Sequence, residues 1–570
     1  MSDEFQPGEA VALALDSAVG AALVGEHGQT LALGPDRAAP MIADLERSVG
    51  PRWVWWSKPT AATLVAADIR PARCWDLDTV HRILAGGWRA GPGRVWALGS
   101  GLDPSDLPAA PTDDLFSAAD TADSDEPIRS DGYLSPMWID GAWRADLDHL
   151  HRWAELGLDA YRWQIEALTG LDDRPHAAAT ARSESAAELL CAELELDGLP
   201  VDVAEAERII ASFIGPRPAD AAEERHRAAE RDHLVLEHLD GASDQGIDLR
   251  NPGNVKSLLR RVGIEVDDTR AWRLERLRGE HPIIDALLRW RRAERIATTF
   301  GYRWLDQHVG VDHRLRGTWS SSDGAAGRMT ATAGLHNLPA ELRPAIVAEP
   351  GHVFIRADLG QIEPRILAAV SGDAALAAAT QESDMYATVA TELGVTRDIA
   401  KVAVLGAMYG QTTGHGAAAL RRLDATYPIA MRYLTDAAHD AEGGHDLRTR
   451  GGRLVRMSAA GDLNGDERGA RSRAAARGRY GRNAMVQGAA AEFFKTWAAV
   501  VRARAADANI VLCLHDELLV HARHEIGDDM ASIVTDAVQE AAYRWSGSDT
   551  ADAVHFVADT TILRRWSDAK

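Results

Sequence analysis

The chain opens on short apolar runs separated by turn signals, at residues 11–15, 21–24 and 30–33. Runs of that length predict strands, so the first hundred residues read as a small α/β domain beginning on a hairpin-rich sheet. Residues 101–131 are rich in Asp, Ser, Pro and Ala and read as an acidic linker or surface loop. From Ala145 the period changes: Leu147, Leu150, Trp153, Leu156, Leu158 and Tyr161 fall mostly at helical spacings. After a loop around residues 172–175, Ser183-Glu184-Ser185 reads as the opening of a long helix with Leu189, Leu190, Leu194 and Leu196 on its apolar face. Two helical stretches follow, near 202–240 and 254–300, the second introduced by the turn Asn251-Pro252-Gly253-Asn254. From 185 onward the chain reads as mostly helical, with strands near 353–358 and 510–520.

Composition narrows the class. Of 570 residues, 46% are hydrophobic and 26% charged, which supports large cores and excludes wholesale disorder. Cys74, Cys191 and Cys513 lie too far apart for a disulfide scaffold or a cysteine-only zinc site and suit a reducing cytoplasm. The first residues carry acid where a secretory leader carries base, and no uncharged apolar run reaches the roughly 18 residues of a membrane span. The expectation is a cytoplasmic protein without a membrane partner.

A net charge of −23 argues against indiscriminate coating of nucleic acid. The charge is uneven, however. Arg448, Arg450, Arg453, Arg456, Arg468, Arg471, Arg473, Arg477, Arg479 and Arg482 crowd one stretch, interrupted by Asp462, Asp466 and Glu467. That stretch reads either as a solvated helical face with a loop or as a phosphate-contacting surface.

Three segments carry candidate chemistry. An apolar strand, residues 353–357, ends in Asp358 and turns through Leu359-Gly360-Gln361-Ile362-Glu363-Pro364-Arg365 into a helix. A second apolar strand, 511–514, is interrupted by His515-Asp516-Glu517 and then resumes. Charge inside an apolar strand is costly without a partner. Either carboxylate alone reads as a cap or a solvated loop, whereas two such carboxylates suit a pair of magnesium ions that activate a hydroxyl and stabilise a leaving oxygen. In the third segment, Arg397, Lys401, Leu405 and Tyr409 recur every fourth residue and form one helical stripe. Such a stripe is either a surface helix with snorkelling basic residues or a grip on a triphosphate with a ring to stack on a base.

In order and separation these segments resemble the three polymerase motifs of family A DNA polymerases, the bacterial DNA polymerase I group. Asp358 to Ala368 is similar to the family's D-Y-S-Q-I-E-L-R-x-L-A, Arg397 to Gly410 to its R-x-x-x-K-x-x-x-F-G-x-x-Y-G, and His515-Asp516-Glu517 to its third motif. Flanking stretches resemble the family too: Gly327-Arg328-Met329-Thr330, Leu335-His336-Asn337-Leu338-Pro339, and Arg479, Asn483, Gln487 and Gly488. Residues 251–266 resemble the base of its thumb. The likeness covers roughly residues 183 to 565.

The resemblance implies an α+β fold: a right-hand polymerase of palm, fingers and thumb, preceded by an α/β ribonuclease H-like exonuclease-type domain. The implied boundaries are 1–182 for a degenerate 3′–5′ exonuclease-like domain, with its acidic loop at 101–131, and 183–570 for the polymerase domain. Within the latter, the thumb is expected at 185–300, the palm at 301–374 and 445–570, and the fingers at 375–444.

The resemblance also implies the roles. Asp358 and Asp516 would bind two magnesium ions, with manganese as a substitute, the Leu359 carbonyl as a backbone ligand and Glu517 assisting. Arg397 and Lys401 would hold the triphosphate and support the departing pyrophosphate. Tyr409 would lie beside the templating and incoming bases. Glu363 would reject a 2′-hydroxyl, with Gln361 lining the same pocket and Leu405 replacing the aromatic ring usual against the nucleotide sugar. Arg328, Asn337, Arg479, Asn483, Gln487 and His515 would touch the primer–template from the minor-groove side, whose degenerate pattern suits an enzyme that accepts every base pair. The arginines at 448–482 would then form a duplex-binding surface.

The departures from the pattern are specific. Leu359 and Gly360 replace Tyr-Ser, and Pro364 replaces Leu, which requires Pro364 to lie in a helix's first turn. His336 replaces Gln, Asp384-Met385-Tyr386 replaces Asp-x-His, and the segment 394–397 is short. At the front, Asp16 has no acid two residues later, Trp55 to Pro59 offers no carboxylate where one is expected, and Cys74-Trp75-Asp76-Leu77-Asp78 resembles a relic of a later acidic motif. An isolated Asp cannot hold two divalent ions.

The leading expectation is therefore a monomeric, template-directed DNA polymerase. It would add deoxynucleotides from deoxynucleoside triphosphates to a primer 3′-hydroxyl, without proofreading, in replication or repair synthesis. A single-subunit RNA polymerase shares the paired aspartates, but Glu363 would obstruct a ribose hydroxyl. A non-catalytic DNA-binding paralogue is the third reading, supported by Leu405 and Tyr386 and opposed by the retention of Asp358, Asp516, Arg397, Lys401 and Tyr409.

Overall fold

A computed structural model describes residues 5–109, 126–239, 247–323, 326–410, 417–457 and 467–569. The chain forms two compact units. The first comprises Met1–Asp197, Thr318–Ala331 and Gly351–Leu563, the second Gly198–Gly317, Thr332–Pro350 and Arg564–Lys570.

The first unit begins with the expected hairpins. Strands β1 (Ala10–Asp16), β2 (Gly20–Gly25), β3 (Thr30–Leu33), β4 (Arg52–Trp55) and β5 (Cys74–Asp76) form a mixed sheet in the order β3-β2-β1-β4-β5. β1 runs antiparallel to β2 and parallel to β4, which in turn runs parallel to β5. Both faces are buried, so β1 and β2 read as continuous apolar runs rather than alternating ones. Val11, Leu13 and Leu23 pack on Ile42 and Leu45 of the helix Pro35–Ser48, whereas Ala10, Ala12 and Ala14 pack with Leu150 and Trp153 of the helix Leu147–Thr169.

A second sheet of four antiparallel strands has the order Ala508–Leu514, Glu517–Arg523, His352–Leu359, Ala558–Leu563. The helices Glu467–Arg504 and Gly527–Ser546 pack together beside it, with the Trp497 indole N–H donating to the Val534 carbonyl at 3.0 Å.

The helix expected to open at Ser183 runs from Ala177 to Asp197. Ser183, Glu184 and Ser185 are buried in its interior, because their polar atoms have partners on both sides that local sequence does not reveal. The Asp76 N–H donates to Ser185 Oγ at 3.0 Å, and Thr496 Oγ1 to Ser183 Oγ at 3.1 Å.

The second unit is mainly helical. The 202–240 stretch is two helices, Val203–Ile214 and Ala221–Leu236, separated where Gly215, Pro216 and Pro218 stop the first. Asn251 caps the helix Pro252–Arg261 by accepting the Gly253 N–H at 2.8 Å, as its turn sequence predicts. This helix packs with Pro282–Thr299 around Leu258, Leu259, Ile283, Ile284 and Leu287. Of the acidic segment 101–131, residues 110–125 lie outside the described residues. Among the described residues no helix is long and apolar enough to cross a membrane.

Candidate active site

The two carboxylates expected to act together are brought together by strand pairing. Leu514 pairs with Glu517, so His515 and Asp516 form a two-residue hairpin loop, in which His515 adopts φ +55°. The Asp516 carbonyl accepts the Leu359 N–H at 2.9 Å, which fixes the loop against the end of the strand carrying Asp358. In register, Asp358 lies opposite Glu517 on one side and Asp559 on the other, giving three neighbouring acids on one sheet face. Burial and the adjacent Asp516 charge push the Asp358 carboxyl up to about 6. Burial also raises Asp516.

One cation sits among these acids. Arg356, two residues before Asp358 and on the same face, donates through Nη2 to Asp358 at 2.9 Å and to Glu517 at 2.8 Å. Sequence reasoning missed Arg356. Its two-residue spacing from Asp358 in a strand was the available signal.

Beyond Leu359 the backbone turns sharply. Gln361 occupies the left-handed region at φ +55° and caps the helix Ile362–Ser371, placing Pro364 in the first turn as required. The Gln361 side chain bonds Asp384 and the Met385 N–H, each at 2.9 Å, and so ties two helix starts together. Arg365 is fully buried and donates to the carbonyls of Gly360, Thr380, His555, Glu382 and Ser383. It thereby holds the turn as a structural hub that the motif alone did not reveal.

Glu363 is the junction of the site. Arg328 donates to it at 3.0 Å and the Tyr409 hydroxyl at 3.2 Å, while Gln487 donates to Tyr409 at 3.3 Å. Burial raises the Glu363 carboxyl, and the Arg328 charge opposes that rise. Two residues expected at the nucleotide and two expected at the primer–template thus form one hydrogen-bonded chain.

Tyr409 ends the helix Arg397–Tyr409, whose other face is buried through Ala400, Ala403, Val404, Ala407 and Met408. The expected stripe therefore faces outward. Lys401 is exposed, with no ion pair among the described residues, and Leu405 is half-buried. Arg397 is held by Asp384 through two bonds, at 2.6 and 3.3 Å, and its guanidinium lies 5.8 Å from the centre of the Tyr386 ring. The Arg397 bond holds the Asp384 carboxyl below its usual range.

The loop that presents Arg328 rests on a buried ionic cluster. Glu184 pairs with Lys495 at 2.5 Å and with Arg453 at 2.7 Å, and Lys495 also donates to the Gly327 carbonyl at 2.7 Å. Burial works to raise the Glu184 carboxyl, and its two cations overcome that and leave it lowered. Gly327 adopts φ +69°, and a Cβ there would stand 2.5 Å from Arg453 Nε, so this position requires glycine.

That cluster corrects the reading of residues 448–482 as one duplex-binding surface. Arg453 is only 1% exposed, and Arg448, Arg450, Arg456, Arg477 and Arg482 donate to backbone carbonyls of the protein itself. Arg471 and Arg479 present exposed side chains, and Arg468 lies outside the described side chains. Arg479, Asn483 and Gln487 follow one another at four-residue spacing on the helix Glu467–Arg504, with Asn483 half-buried. His515 occupies the hairpin beside Asp516. Asn337 belongs to the second unit, where its carbonyl accepts Arg295 at 2.6 Å.

The acids at the front have local duties. Asp16 accepts the Ala18 and Val19 N–H groups at 2.8 and 3.1 Å and so shapes the first hairpin. Asp76 is 1% exposed, caps the helix Leu77–Ala85 through the Thr79 N–H at 2.8 Å and accepts the Trp55 indole at 3.0 Å.

A sequence model of DNA polymerase family A matches residues 254–568. DNA polymerase I of Chloroflexus aurantiacus is 30% identical over 303 residues, which is 48% of this chain and 31% of that protein. A thermostable DNA polymerase I of Thermus thermophilus is 27% identical over 302 residues, 47% of this chain and 35% of that protein. The matched region thus spans about a third of the length of these relatives. Among solved structures, the POL domain of Pol1 from M. smegmatis, in complex with DNA primer-template and dNTP, aligns over 99% of this chain and 96% of that one. Its TM-score is 0.67 at 20% identity, a likeness of fold of the palm, fingers and thumb type. The chain belongs to DNA polymerase family A.

Proposed function

We propose that this chain is a template-directed DNA polymerase whose palm centres on Asp358 and Asp516. The observation that carries the reading is the junction at Glu363. There the Tyr409 end of the cationic stripe is hydrogen-bonded to the helix that follows Asp358. A primer 3′-hydroxyl oxygen would attack the α-phosphorus of a deoxynucleoside triphosphate, losing its proton to solvent as the bond to pyrophosphate breaks.

The donor set of Asp358 and Asp516, with Glu517 adjacent and the Leu359 carbonyl as backbone ligand, fits hard divalent cations, since burial and the Asp516 charge raise the Asp358 carboxyl and a cation would relieve that. Two such ions, magnesium or manganese, would activate the hydroxyl and stabilise the leaving oxygen when bound. Lys401 is exposed and available to the triphosphate and to the charge developing on pyrophosphate. Arg397 would join it by exchanging Asp384 for phosphate. Glu363 would screen the sugar, with Gln361 and Leu405 beside it, and Tyr409 would meet the base pair. Arg328, Asn337, Arg479, Asn483, Gln487 and His515 would read the duplex end without regard to sequence.

The domain roles follow: an exonuclease-like front to residue 182, a thumb at 185–300, fingers at 375–444 and a palm on either side of the fingers. Because Asp16 and Asp76 are committed to a turn and a cap, the front would not proofread. The protein would act as a cytoplasmic monomer in replication or repair synthesis. Primer extension with magnesium and four deoxynucleotides tests the reading beside D358A and D516A. Wild type should extend and both variants should lose about three orders of magnitude or more, several kcal/mol of transition-state stabilisation. Wild type that binds primer–template yet adds nothing with either metal would overturn the reading in favour of a non-catalytic binder, and shortening of a mismatched primer would overturn the loss of proofreading.

A further inference from the structure

An arginine-lined cavity of about 530 Å³ lies in the first unit, and none of its lining residues belongs to the carboxylate site. Its position follows from the sheet. β1, β4 and β5 run parallel, with Arg52 starting β4 and Cys74 starting β5, so the cavity lies at the end of the sheet opposite Asp16. The helices Ala177–Asp197, Glu467–Arg504 and Gly527–Ser546 complete its walls.

Arg52, Arg73, Arg182, Arg504 and Arg544 all line this cavity, and Glu540 is the only carboxylate among its lining residues. Glu540 is engaged by Arg504 and, at 2.6 Å, by Arg544. Among the described residues, Arg52 and Arg73 donate only to the backbone carbonyls of Cys74 and Gly50, at 3.5 and 3.0 Å. Arg182 is exposed and, among the described residues, has no hydrogen-bond or ion-pair partner, so its guanidinium is open to a ligand. Burial, and after it the Arg182 charge, hold Arg52 below its ordinary range. Several unneutralised guanidinium groups around one concavity repel one another until an anion with several oxygens enters.

The walls also narrow the ligand. Tyr543 lines the same cavity and is 61% exposed, next in sequence to Arg544, so an aromatic face stands beside the phosphate-binding groups. Stacking of a base on such a ring is favourable whatever the base. The cavity volume lies within the usual range for small-molecule sites.

We propose that this cavity is a binding site for a nucleoside polyphosphate, with Arg52, Arg73 and Arg182 on the phosphates and Tyr543 on the base. It is separate from the triphosphate-binding stripe of Arg397 and Lys401 and does not depend on the polymerase reading.

Calorimetric titration of the full chain with ATP, tripolyphosphate and adenosine tests the assignment. The titrations are run on wild type, R182E, R52Q, Y543A and the double variant R397A/K401A. R182E and R52Q should each weaken ATP binding about tenfold or more, while R397A/K401A should retain this site. Y543A should weaken ATP but leave tripolyphosphate unchanged, and adenosine alone should not bind measurably. Because Arg182 is exposed, R182E carries the test even if R52Q fails to fold. ATP binding unchanged in R182E, or abolished in R397A/K401A alone, would overturn the site. Tripolyphosphate binding as tightly as ATP, with Y543A silent, would overturn the assignment to a nucleotide.

Discussion

Arg356 and Asp358 stand two residues apart on one strand, and a guanidinium nitrogen of the first lies 2.9 Å from a carboxylate oxygen of the second. The same nitrogen reaches Glu517 across the sheet at 2.8 Å. The protein therefore carries its own counter-charge where divalent cations would bind, so the acids remain together without them.

R356A should accordingly lower the midpoint of thermal unfolding in EDTA, at a cost on the order of 1–3 kcal/mol for leaving buried charge unpaired. Magnesium or manganese should restore more stability to R356A than it adds to wild type, because the vacated position favours a cation. Melting curves with and without metal decide the matter; an equal metal-induced gain in the two proteins would mean that Arg356 does not share the cation's place.

Glu363 serves both the Tyr409 hydroxyl and Arg328. E363A should raise ribonucleotide incorporation relative to deoxynucleotide roughly tenfold or more, each tenfold being about 1.4 kcal/mol. E363Q keeps an acceptor for Tyr409 and should fall between wild type and E363A in direct competition assays.

Gly327 and Lys495 test whether the loop beneath Arg328 matters. G327A forces a side chain into a left-handed position 2.5 Å from Arg453 Nε. K495M leaves Glu184 short of one of its two cations, and breaking a buried pair costs about 3–5 kcal/mol. Both variants should lower the urea midpoint. G327A should lose primer extension more steeply than stability, because it displaces Arg328 directly.

Asp76 sets a pH dependence. Burial, reinforced by the Glu188 charge, pushes its carboxyl up to about 8, against an unfolded value of about 3.9. The folded state therefore binds the extra proton between those values. Stability from this group is greatest below pH 4, declines as pH rises toward 8 and levels off above that. D76N keeps one acceptor oxygen, enough for the Thr79 N–H but not also for the Trp55 indole, so it should be less stable than wild type throughout. Having no proton to lose, it should vary less in unfolding free energy between pH 5 and 8. Parallel slopes in urea titrations would show that Asp76 does not titrate in this range.

The strand ending in Asp358, the acidic break at Asp516 and the stripe of Arg397, Lys401, Leu405 and Tyr409 were legible because each is a local pattern, an apolar run broken by acid or a four-residue recurrence; that the break is a hairpin between two strands, rather than an interruption of one, was not. The residues that hold those pieces in place were not. Glu184 meets Lys495 and Arg453, Arg356 meets Glu517 across 161 positions, and Arg365 donates to His555 from 190 positions away. A lone charged residue in an apolar stretch announces that it needs a partner but does not say which. The arginines at 448–482 misled for the same reason. Composition counts charges, whereas burial and backbone carbonyls decide which of them reach solvent.

The helix Ala177–Asp197 belongs to two structures at once. Glu184 on it anchors the cluster beneath Arg328, while Ser185 receives the Asp76 N–H, Glu195 binds Lys58 at 2.8 Å and Asp197 binds Arg70 at 2.7 Å, all from the front sheet and its surroundings. The front therefore acts as a splint, with a mechanical reason to persist whatever becomes of its own chemistry. Trimming the chain ahead of residue 183 would remove the first turns of that helix and strip partners from several of its charged or polar side chains. Support and chemistry are separable here: the front sheet needs no reaction of its own to matter, because the helix it braces also carries Glu184, beneath the loop that presents Arg328.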